Sequence, residues 1–88
     1  MIVTAELSLY PLVQEYEGPI LRFIKALKGN DELTVMTHAM STYVKGDVKI
    51  VMSAIGEAMS TLGPKAGASL VIKMINRDLP VEKGFLEF

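Results

Sequence analysis

The apolar positions of this chain change period several times. Residues 2–10, IVTAELSLY, alternate: Val3, Ala5, Leu7 and Leu9 fall on one face, Thr4, Glu6, Ser8 and Tyr10 on the other. A period of two predicts a half-buried strand, which Pro11 ends because proline cannot donate to a ladder. Residues 14–28 place Tyr16, Ile20, Phe23, Ile24 and Leu27 at helical spacing. Gly18-Pro19 leaves two starts open: near Glu17, with proline in the first turn, or near Gln14, with a kink. Gly29-Asn30 supplies the stop. A second strand over 32–39 sets Leu33, Val35, Thr37 and Ala39 against Thr34, Met36, His38 and Met40, and a short third follows at 41–45. Gly46-Asp47 opens a second helix with Asp47 as N-cap. Its predicted stripe is Val48, Val51, Met52, Ile55, Met59 and Leu62, closed by Gly63-Pro64. Residues 68–76 form a fourth strand.

The order is β-α-β-β-α-β. Right-handed crossovers turn it into an α+β, ferredoxin-like fold: a four-stranded antiparallel sheet with both helices on one face. The domain takes residues 1–78. Residues 79–88 carry Leu79, Val81, Phe85, Leu86 and Phe88 without a clear period and read as a tail suited to docking on a neighbouring subunit. Helices on one face leave Thr4, Glu6, Ser8 and Tyr10 uncovered, so a second subunit, a ligand or both should lie there.

Composition narrows the function. A chain of 88 residues buries only roughly 60–65% of its unfolded surface, so pairing with a second copy would help it. A net charge of −1 gives no electrostatic footprint for nucleic acid. There is no cysteine, which removes disulfides, thiolate catalysis and Cys-ligated metals. No apolar run reaches the ~20 residues of a membrane span, and Glu6 spoils the N-terminus as a signal peptide. The expectation is a soluble, cytoplasmic protein with no membrane insertion. The segment GPKAG at 63–67 lacks the spacing and strand context of a phosphate loop.

Chemistry concentrates in THAMSTYVKG, residues 37–46. It holds Thr37, Ser41, Thr42, Met40 and His38, the sole histidine. Short neutral hydroxyls beside a polar strand face suit a neutral or weakly basic small ligand; they also suit plain cross-strand pairing. His38 has no second ligand-type residue spaced for a metal. A Ser41–His38–Glu6 nucleophilic set is conceivable, but a histidine that hydrogen-bonds a ligand or a partner strand fits better. Glu6 in a central strand needs solvent, a cationic ligand or a partner such as Lys73 in the last strand. A reversal near Ala39-Met40-Ser41 without Gly, Asn, Asp or Pro predicts a bulged or strained turn.

Tyr10-Pro11-Leu12, Pro19, Thr37-His38-Ala39-Met40-Ser41-Thr42, Val44, Gly46 and Val51-Met52 together resemble the pattern of the YkoF-like thiamine/hydroxymethylpyrimidine-binding proteins. The resemblance runs to about Asn76, with His38 standing where the family pattern often has Asn. It implies a ferredoxin-like fold, association through the sheets as a dimer or tetramer, no cofactor, and binding of thiamine or its hydroxymethylpyrimidine moiety without catalysis, in vitamin B1 salvage or transport. The expected ligand-binding residues are Glu6, Ser8, Tyr10, Thr37, His38, Met40, Ser41 and Thr42. Hydroxyls and an imidazole match an aminopyrimidine, Glu6 balances the thiazolium, and Tyr10 or Met40 packs on a ring face. Two alternatives stay open: a small oligomeric enzyme of the same fold with His38 as base, and a structural or regulatory module with a packed interface, not a pocket, beside residues 37–42.

Overall fold

The computed structural model describes residues 1–64 and 67–81. Along it run β1 (Ile2–Pro11), α1 (Glu17–Lys28), β2 (Thr34–Thr37), β3 (Thr42–Asp47), α2 (Val48–Ser60) and β4 (Ala68–Ile75). The strands pair antiparallel in the order β2-β3-β1-β4, the expected ferredoxin-like topology. The inward residues of β1, Val3, Ala5 and Leu7, are almost wholly buried. They meet Val44 of β3, Phe23 and Leu27 of α1, and Val51, Ala54, Ile55 and Ala58 of α2 in one core. Both helices therefore cover the same face.

Of the two starts open for α1, the chain takes the one at Glu17, which puts Pro19 in the first turn, where its missing N–H has no helical partner to lose. The Asp47 side chain caps α2 by accepting from the Lys49 N–H at 3.1 Å. The predicted stripe of α2 holds at Val48, Val51, Ile55, Met59 and Leu62, but Met52 is exposed and Ala54 and Ala58 join the inward face. Small side chains there let the helix lie close to the sheet. Gly46 is required by a close approach, because a Cβ there would lie 2.7 Å from Leu33 Cδ2 and 3.3 Å from the Glu32 carbonyl oxygen.

β2 is shorter than the alternation implied. Its turn to β3 is closed by the His38 N–H donating to the Ser41 carbonyl at 2.8 Å, with Ala39-Met40 at the tip. The register from Thr34↔Lys45 to Thr37↔Thr42 is unbroken, and no non-glycine residue among those described has a positive φ. The expected bulge or strain is thus absent. The primed hairpin turns need positive φ, which Ala and Met resist, and this reversal keeps its tip in ordinary φ space.

After β4 the chain turns back across the outer face of the sheet. The Thr4 hydroxyl, 7% exposed, donates to the Arg77 carbonyl at 2.7 Å and accepts the Leu79 N–H at 3.1 Å. Lys45 of β3 reaches the Leu79 carbonyl at 2.9 Å and Asp78 at 3.0 Å. Val81 is buried. Residues 77–81 thus strap the chain's own sheet. The rest of the expected tail, 82–88, and residues Lys65 and Ala66 of the GPKAG segment lie outside the described residues. Among those described, no helix is long and apolar enough to cross a membrane.

Candidate functional site

A cleft of about 190 Å³ opens at one end of the molecule, where the β2–β3 hairpin meets the second half of β1 and the first turns of α1. Its apolar wall is Leu7, Leu9, Ile20, Phe23 and Ile24, and all of residues 37–42 line it. Of the residues expected at the site, Ser8, Tyr10, Thr37, His38, Met40, Ser41 and Thr42 are at this cleft and Glu6 is not. The sequence reading missed the apolar wall, although the signal was present in the inward phase of β1 and the buried stripe of α1. No Asp, Glu, Lys or Arg is among the lining residues.

Strand alternation sorts the polar groups. Leu7 pairs with Thr42 and Ala5 with Val44, so Thr42 points with Val44 and Leu7 toward the helices. Thr42 is 6% exposed, and its hydroxyl bonds no other described residue. Among the described residues no wholly enclosed side-chain polar atom lacks a partner, so this hydroxyl opens onto the cleft, where Thr42 is a lining residue. A ligand that fills the cleft displaces water from this hydroxyl and must offer it a partner, because leaving it enclosed without one costs about 1–3 kcal/mol. Met40, 91% exposed, and Tyr10, 57% exposed, stand at the rim.

Glu6 lies on the opposite face, in register with Tyr43 on one side and Lys73 on the other. Its Oε2 accepts the Ser41 hydroxyl at 3.2 Å, so one hydrogen bond joins it to a residue of the cleft. No ion pair joins Glu6 to Lys73, although they are cross-strand neighbours. The His38 ring rests on Tyr43, with centroids 4.4 Å apart and planes at 41°. No carboxylate holds the imidazole, and no cluster of three metal-ligating side chains exists among the described residues.

No protein-family model matches the chain, and no curated protein matches it significantly. Among solved structures, it is similar to hypothetical protein MJ1052 of Methanocaldococcus jannascii, with a TM-score of 0.76 and 31% identity over 88% of this chain and 81% of that one. Protein SP2199 of Streptococcus pneumoniae gives a TM-score of 0.78 at 22% identity over 90% of each chain. TM0486 of Thermotoga maritima, provisionally named a thiamine biosynthesis/salvage protein, gives 0.70 at 17% identity over 93% of this chain and 92% of that one. The last two likenesses are of fold.

Proposed function

The chain belongs to the same family as MJ1052, and on that premise we propose that it is a non-catalytic binder of hydroxymethylpyrimidine, alone or as the pyrimidine half of thiamine, of the YkoF-like kind, acting in vitamin B1 salvage or transport. The observation that carries this reading is Thr42, a nearly buried residue whose hydroxyl bonds no described residue and opens onto an apolar cleft. Support also comes from the name of TM0486, which shares the fold.

The chemistry matches a flat, neutral heterocycle. Ring nitrogens of an aminopyrimidine accept from the hydroxyls of Thr37 and Thr42, and its amino group donates to a hydroxyl oxygen or to neutral His38. Phe23 and the aliphatic wall take the ring faces. The volume, about 190 Å³, falls below the ~300 Å³ at which pockets begin to hold drug-sized ligands, which suits one ring better than two. Glu6 does not line the cleft and reaches it only through the Ser41 hydroxyl, so it is poorly placed to balance a thiazolium there. The pyrimidine moiety is therefore the favoured ligand, and Glu6 leaves the proposed contact set. With no carboxylate among the described residues bonded to His38, this reading assigns the cleft positioning and not acid–base chemistry.

Self-association through the sheet is part of the same reading. Beyond the strap the outer face and the β4 edge expose Tyr10, Val71 and Ile72, the kind of surface that a second copy covers.

Isothermal titration of the full chain with hydroxymethylpyrimidine and with thiamine tests the proposal. Binding of the pyrimidine with a Kd below about 1 mM, and of thiamine no more tightly, is expected. If neither compound binds in that range, the proposal is wrong.

A further inference from the structure

A second cavity, of about 230 Å³, lies on the outer face under the strap. Its floor is Thr4, Glu6, Tyr43, Lys73 and Ile75 of β1, β3 and β4; Leu79 and Val81 of the strap wall it. Glu6 and Lys73 sit in register on adjacent strands and point to the same face, yet form no ion pair. Cross-strand opposite charges gain by pairing, so their separation leaves two complementary charges facing one space. Glu6 is half-buried and oriented: Ser41 holds Oε2, and Oε1 bonds no described residue. The Lys73 ammonium bonds no described residue either. Beside this pair, Ile75, Leu79 and Val81 make an aliphatic end.

We propose that this cavity is a second ligand site, for a small zwitterion with an aliphatic body, the chemistry of an aliphatic α-amino acid. Its ammonium meets the open oxygen of Glu6, its carboxylate meets Lys73, and its side chain packs on Ile75, Leu79 and Val81. Charge complementarity favours this occupant: a purely apolar one would leave both ions unpaired, and a simple cation or anion would satisfy only one of them. The site is distinct from the hairpin cleft, with which it shares no cavity-lining residue.

The test is titration of the full chain with L-leucine, 4-methylpentanoate and 3-methylbutylamine, the last two each lacking one charge. Leucine should bind with a Kd of about 1 mM or tighter, and each analogue at least roughly tenfold more weakly, a loss of about 1.4 kcal/mol. Lys73→Met, which keeps the aliphatic stem, and Glu6→Gln should each weaken leucine by a similar factor, with Tm and pyrimidine binding retained. No leucine binding at ~10 mM, an affinity indifferent to both substitutions, or analogues that bind as well as leucine would overturn the proposal. A self-association that Lys73→Met abolishes, with no leucine binding, would assign the cavity to a second copy.

Discussion

On the helix side of the sheet, the cleft of about 190 Å³ is walled by leucines, isoleucines and Phe23 and fringed by hydroxyls; on the outer side, the cavity of about 230 Å³ is flanked by Glu6 and Lys73. The same strands build both. Leu7 and Thr42 turn one way, Glu6 and Tyr43 the other, because successive residues of a strand alternate faces. The comparison teaches that residues adjacent in sequence can belong to sites of opposite chemistry. The neutral side selects a neutral ring, and the charged side selects a molecule carrying both signs. Two residues of the cleft touch the outer cavity's floor: Ser41 donates to Glu6, and the His38 ring rests on Tyr43.

The two sides also differ in what holds them. The inner cleft rests on the core, where Leu7, Phe23 and Val44 are almost fully buried. The outer cavity rests on a strap whose Thr4 hydroxyl makes two hydrogen bonds. Thr4→Val leaves the Leu79 N–H and the Arg77 carbonyl without that partner and should cost about 1–3 kcal/mol, read by urea unfolding. Hydrogen exchange should then rise at residues 77–81, and leucine binding should fall while pyrimidine binding holds. Loss of both affinities together would show that the two sides are one unit.

A smaller effect serves as the control remote from both cavities. The carboxyl of Asp47 is held below its ordinary pKa of 3.8, first by the hydrogen bond from the Met1 ammonium and next by the Lys49 amide. A lowered folded pKa means that its stabilisation is present above the unfolded pKa and lost as pH falls through the folded one. Asp47→Ala should lower Tm slightly at neutral pH, the difference should vanish in acid, and neither ligand's affinity should change. A Tm gap that persists unchanged in strong acid would contradict this assignment.

The fold was legible in the sequence because each element carried its own period. The alternation of β1, the stripe of α1, the Asp47 cap and the order of elements together lead to the observed topology. Met52 misled because α2 buries Ala54 and Ala58, and alanines add little to an apolar pattern. The site was legible in part. The cluster at 37–42 stood out because hydroxyls and a histidine are unusual turn residues. Glu6 was assigned to the same ligand because it shares a strand with Ser8, and only the pairing of β1 with β3 shows that its carboxylate lies across the sheet from the cleft. The strap escaped notice because residues 77–81 have no period, and their hold on Thr4 spans the length of the chain.

Thr42 bears most directly on the central claim. Valine keeps its shape and removes the hydroxyl that has no partner in the fold. Thr42→Val should leave stability nearly unchanged, because the hydroxyl bonds no described residue and opens onto the cleft, while hydroxymethylpyrimidine affinity falls by roughly tenfold or more, about 1.4 kcal/mol. A variant that binds the pyrimidine as well as the parent, or that loses stability without losing affinity, would contradict the account.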